Sequence, residues 1–201
     1  FFVARAVLGA SESMRSKLAE YNDPRLSRAF ITKQGTSGKE QAPGTADNAV
    51  YAPNGTPEQG TSKYGTSLFM YSISAPTLLL SYHELKFLEA EALCRLERDA
   101  KSALKDAVVA GLLNAENSFT ISRKELGKTL INAASSITEA EAESYFDNTI
   151  EAKYTAEPLK TTMTQKYFAL WGASGEATES YNDVRRMKGL GENFIELKNP
   201  N

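Results

Sequence analysis

Apolar residues between positions 2 and 18 recur every three or four residues, the spacing that lines one face of a helix. The pattern stops at Asn22-Asp23-Pro24, where the residue ahead of proline is pushed out of the helical region, so a first helix is expected to end near Tyr21. Residues 35–65 are dense in Gly, Pro, Thr, Ser and Asn and almost free of aliphatic side chains. Such a segment has no face to bury, and a long loop over residues 35–71 is expected.

Ser74-Ala75-Pro76 reads as the opening of a helix that runs to about Arg98, with proline in its first turn. Leu78, Tyr82, Leu85, Ala92 and Leu96 fall on one side, and Leu80, Phe87 and Cys94 on another. A helix that is apolar nearly all round should be central. Asp99 can cap a following helix ending near Leu113, and Ser122-Arg123-Lys124-Glu125 and Thr138-Glu139-Ala140-Glu141 both fit the capping box that announces a new helix. Pro158 starts a helix that ends at Trp171-Gly172, and a last one runs from about Glu176 to Met187, ahead of Gly189. The pattern predicts an all-α chain of about seven helices, with no convincing strand pair. Short connections suit irregular antiparallel stacking of the tetratricopeptide type.

Composition narrows the function classes. At 201 residues and 41% hydrophobic content, one domain with its own core is expected over residues 1–201. Lys and Arg (23) nearly balance Asp and Glu (25), so no global field draws the chain to nucleic acid or an anionic membrane. The chain opens Phe1-Phe2-Val3-Ala4-Arg5 without an initiator Met or the layout of a signal peptide, and is expected to start inside a larger protein. A single cysteine, Cys94, excludes an internal disulfide and a multi-cysteine metal site.

Candidate chemistry is sparse. Cys94 and His83 lie eleven residues apart on one expected helix, about 16 Å along its axis, too far for a nucleophile and its base. Glu84 and Glu91 stack along the same helix and would not flank a sugar as a glycosidase pair does. No glycine-rich phosphate loop follows a strand or opens a helix. No catalytic residue, metal ligand or cofactor is therefore assigned. Glu91, set among Ala90, Ala92 and Leu93, is expected to be buried and must then be paired, with Arg185 and Arg186 as candidate partners. Tyr51, Tyr64, Phe69 and Tyr71 lie in or beside the long loop. They either offer rigid contact area to a ligand or pin the loop to the helices.

Three ordered motifs carry a resemblance: Asn22-Asp23-Pro24-Arg25-Leu26, the Ser81-Tyr82-His83-Glu84-Leu85-Lys86-Phe87-Leu88-Glu89-Ala90-Glu91-Ala92 helix, and the block from Gln165-Lys166-Tyr167 to Asp183-Val184-Arg185-Arg186. Together they resemble the SusD/RagB family, most closely its SusD-like branch. In that family the Asp-Pro-Arg-Leu segment lies well into the protein, so the chain resembles its C-terminal part. The resemblance implies a non-enzymatic, lipid-anchored protein on the outer-membrane cell surface. Such a protein hands an oligosaccharide or peptide to a TonB-dependent, SusC-like transporter, with its lipid anchor outside these residues. The competing reading of the helical pattern is a cytosolic repeat adaptor that binds peptides in a concave groove.

Overall fold

The computed structural model describes residues 10–31, 39–41, 51–53, 64–71, 74–126, 129–131 and 134–197. Much of the expected loop, residues 42–50 and 54–63, lies outside them, as do residues 1–9 of the first apolar stretch. The chain divides into two compact units. One comprises Phe1–Ala75, Glu116–Ser136 and Leu197–Asn201, and the other Pro76–Ala115 and Ile137–Glu196.

In the first unit, helix α1 (Glu12–Glu20) is capped by Ser11, whose hydroxyl accepts from the Met14 N–H. It ends at Tyr21, and Asn22 turns the chain with a positive φ of 48°. Asp23 and Arg25 lock that turn before the short helix α2 (Leu26–Ala29). Strand β1 (Phe30–Ile31) pairs antiparallel with β3 (Thr66–Ser67), while β2 (Lys39–Gln41) runs parallel to β4 (Thr129–Ile131). These two ladders are the departure from the strand-free reading. Each is two or three residues long, below the length at which alternation can be seen in a sequence. Leu18, Phe30, Ile31, Leu68 and Phe119 are fully buried.

The second unit is helical throughout. It holds α3 (Tyr82–Arg95), α5 (Glu139–Tyr145), α6 (Glu151–Ala156), α7 (Pro158–Leu170) and α8 (Ala177–Gly189). The long helix α4 (Lys101–Glu125) belongs to this unit up to Ala115 and to the other from Glu116. Helix α3 packs on α7, and α7 in turn on α6 and α8. Gly111 of α4 sits where a Cβ would meet the Ala169 Cβ at 3.0 Å, so a side chain there would force α4 off α7. A π-helical turn, Phe146–Ile150, joins α5 to α6.

Three boundaries differ from the sequence expectation. Helix α3 begins at Tyr82, not at Pro76, because the Ser81 hydroxyl accepts from the Glu84 N–H as its N-cap. The Ser81 N–H is itself taken by a Glu176 carboxylate oxygen at 2.5 Å. Helix α4 does not stop at Leu113 but runs to Glu125. Ser122 is therefore no cap: it is fully buried inside α4 and donates to the Ser118 carbonyl at 2.8 Å. Thr138 does cap α5, accepting from the Glu141 N–H.

The face of α3 that meets the rest of the unit also differs. Phe87 and Glu91 are buried as expected, but His83 and Glu84 go inward with them, beside Ala90. Tyr82, Leu85, Leu88 and Leu96 are exposed. Helix α3 is therefore half-covered, with its charged stripe inward.

Candidate functional site

Glu91 is the centre of an ionic cluster built by α3, α7 and α8. Its side chain is 6% exposed. Arg186 donates through both terminal nitrogens to Glu91, at 2.5 and 2.9 Å, and through Nη2 to Asp183 at 2.7 Å. Arg95, one turn along α3, donates to Glu91 through Nε at 2.8 Å and forks onto Glu192 at 2.8 and 3.0 Å. From α7, the Lys166 ammonium sits 2.7 Å from Asp183 and 3.8 Å from Glu91, with only 2% of its side chain exposed. Burial pushes the Glu91 carboxyl up, but the hydrogen bonds from Arg186 and Arg95 outweigh it and hold the group below its ordinary value.

Arg185, the other sequence candidate, takes no part in the cluster. Its guanidinium lies over the Tyr181 ring, 5.6 Å from the centroid. Adjacent helix positions point about 100° apart, so only one of the two arginines can face Glu91. Lys166, Asp183, Arg95 and Glu192 were not singled out from sequence. Lys166 and Asp183 stood in the quoted C-terminal block, and Arg95 follows Glu91 by four residues, a spacing that pairs charges along a helix.

Next to this cluster stands a second one that no spacing reveals. Glu84 on α3 shares a hydrogen bond with Glu176, from the turn Ser174–Glu176 ahead of α8. Glu176 also accepts from the Ser81 N–H and, at 2.9 Å, from the Ser81 hydroxyl, and the His83 Nε2 lies 3.5 Å away. Burial, and then the neighbouring Glu176 carboxylate, raise the Glu84 pKa to about 7. Both clusters border one groove of about 570 Å³, which has Leu88 and Ala92 on its apolar side and Glu84, Glu91, Arg95, Asp183 and Arg186 on its charged side.

The two carboxyls work in opposite directions on stability. The Glu91 pKa is lowered on folding, so its contribution is present above the unfolded value and is lost as pH falls through the folded one. The Glu84 pKa is raised, so its contribution is full below the unfolded value and is lost as pH rises through about 7. Replacing Glu84 by Gln keeps the shape and removes the charge. Thermal melts at about pH 5 should show the variant near the parent, and at about pH 8 should show it more stable. A variant no more stable than the parent at the higher pH would contradict a raised Glu84 pKa.

The loop aromatics lie in the first unit. Tyr51 is half-buried, edge-on to Phe30 at 5.3 Å and beneath the Arg15 guanidinium at 5.5 Å. Tyr64 is buried, and Phe69 packs against Phe119 with ring centroids 4.7 Å apart. Tyr71 closes the 3₁₀ turn Leu68–Tyr71, and its side chain lies outside the described residues. Among the described residues no group of His, Cys, Asp and Glu could hold a metal ion, and no helix is long and apolar enough to cross a membrane.

The chain belongs to the SusD-like family, described as starch-binding and associating with the outer membrane, whose model matches residues 2–188. A SusD/RagB family protein from Bacteroides thetaiotaomicron, solved by crystallography at 1.75 Å resolution, is 59% identical and superposes with a TM-score of 0.92. That match covers 100% of this chain and 43% of the other, so the chain spans less than half of the solved relative. No curated protein matches the sequence.

Proposed function

We propose that the chain is part of a non-enzymatic, cell-surface nutrient-binding lipoprotein that delivers a glycan or peptide to a TonB-dependent, SusC-like transporter in the outer membrane. The observation that carries this reading is the family match over residues 2–188, with its description as starch-binding and outer-membrane-associated. The site chemistry is consistent with binding without turnover. In the second unit's groove Arg95, Lys166 and Arg186 each already face a carboxylate.

Ligand contact is proposed for the 35–71 region, among Tyr51, Tyr64, Phe69 and Tyr71 chiefly through Tyr51, since Tyr64 is buried and Phe69 packs on Phe119. Among these, Tyr51 supports the reading best, being half-buried, with an arginine over its ring. Calorimetric titration of the full-length polypeptide with malto-oligosaccharides and with short peptides should give micromolar or weaker binding to one class, with ligand recovered intact. Tyr51→Ala should weaken it about five- to tenfold, the size of one aromatic contact. Cleavage of either ligand class, or binding to neither, would sink the proposal. Co-purification of a TonB-dependent transporter from detergent-solubilised outer membranes tests the partner.

A further inference from the structure

Arg15 and Tyr51 meet from two separate segments of the first unit. The residue after Tyr51 is tied to the start of α1: the Ala52 N–H donates to the Ala10 carbonyl at 2.8 Å, and the Ala52 carbonyl accepts from the Glu12 N–H at 3.0 Å. Ser11 and Ala52 thereby form a parallel bridge. With its backbone fixed in this way, the half-buried Tyr51 ring is set edge-on to the buried Phe30. One turn along α1 the Arg15 guanidinium lies over that ring, 5.5 Å from its centroid.

Arg25, Arg95, Arg123 and Arg186 are each held by a carboxylate. Arg15 is exposed, and among the described residues its partner is the neutral Tyr51 ring, with no carboxylate beside it. A guanidinium that stacks through its face keeps its N–H edge open, and that edge fits a carboxylate with two parallel hydrogen bonds. Arg185 stacks on Tyr181 in a similar way, but that pair rides on one helix and its ring is 63% exposed. The Arg15–Tyr51 pair is the one built from two segments against a buried aromatic.

An aromatic ring takes the C–H face of a sugar, and a cation beside it takes an anion. A uronic acid carries its carboxylate directly on the pyranose ring, so a single ligand residue satisfies both contacts. An acidic peptide holds its carboxylate on a flexible stem and brings no flat face to the tyrosine, while a neutral sugar leaves the guanidinium unused. We propose, on the reading that Tyr51 contacts ligand, that Arg15 and Tyr51 select a uronate-containing oligosaccharide, the guanidinium taking the ring carboxylate and the tyrosine the sugar face.

Calorimetric titration of the full-length polypeptide with galacturonate and with mannuronate oligosaccharides, each against its methyl ester, isolates the carboxylate. In one of the two series the acid should bind roughly three- to tenfold more tightly than its ester, the size of one partly exposed charge-assisted contact. Arg15→Gln should bring the acid down to its ester and leave the ester unchanged. Tyr51→Ala should weaken both forms, and Arg185→Gln neither. Raising sodium chloride from about 50 mM to about 500 mM should weaken the acid alone, because the contact is exposed to screening. Equal binding of acid and ester, or a preference that survives Arg15→Gln, overturns the proposal, and a loss on Tyr51→Ala in the same experiment leaves that residue's ligand role standing. Binding indifferent to Tyr51→Ala, or no binding in either series, removes both. A short Glu-rich peptide that binds through Arg15 more tightly than either uronate overturns it in favour of a peptide ligand.

Discussion

Replacing Glu91 by Ala should lower stability by about 3–5 kcal/mol, the usual result of removing one partner from a buried charge cluster. That corresponds to a fall of roughly 6–20 °C in melting temperature for a chain of this size. The loss falls on groups that cannot all turn to water. Lys166 is 2% exposed and keeps Asp183, whereas Arg186 is 41% exposed and can swing outward. The two ends of the pair are therefore unequal. Arg186→Ala leaves Glu91 with Arg95 at 2.8 Å and Lys166 at 3.8 Å, and should cost only about half as much. Glu91→Gln, which keeps the shape and one acceptor, should fall between these two. Thermal and urea denaturation of the three variants checks the order. An Arg186→Ala loss equal to or greater than that of Glu91→Ala would show that the carboxylate is not the hub of the cluster.

The second large effect is expected in the other unit, at the Asp-Pro-Arg segment. Asp23 accepts from the Arg25 backbone N–H at 2.9 Å, from Nε at 2.8 Å and from Nη2 at 2.6 Å. Both side chains are almost wholly buried. A bidentate pair held over two residues fixes the turn that Asn22 enters with its positive φ. Asp23→Ala should cost about 3–5 kcal/mol, and Asp23→Asn less because one acceptor remains. A double-mutant cycle with Arg25→Met isolates the pair, and its coupling should exceed about 1 kcal/mol. Additive single effects would show that the turn is held by other contacts.

Several features of the chain are local and can be read along it. Proline in a first turn starts α7 at Pro158, glycine with positive φ ends the segment after Trp171, and the Thr138 capping box opens α5. Each depends on backbone geometry within about four residues, which neighbouring side chains control directly. Burial of Glu91 and its need for a cation also followed from its apolar neighbours, since an unpaired carboxylate there is costly.

Tertiary structure decided the rest. Periodicity says which residues share a face of α3 but not which face is covered, and here the face with His83, Glu84 and Glu91 went inward while the leucine stripe stayed out. The start of α3 was set by Glu176, 95 residues away from Ser81, which takes its N–H and hydroxyl. Ser122 carries the same capping signature as Thr138, yet the continuing helix α4 buries it, and its hydroxyl turned back to Ser118. Arg186 rather than Arg185 reached Glu91 because of how α8 is rotated against α3, and the Glu84 pKa is raised by burial and then by a second carboxylate that arrives from a distant turn. In each case the deciding term is desolvation plus a partner far along the chain, and such partners are assigned only when the helices pack.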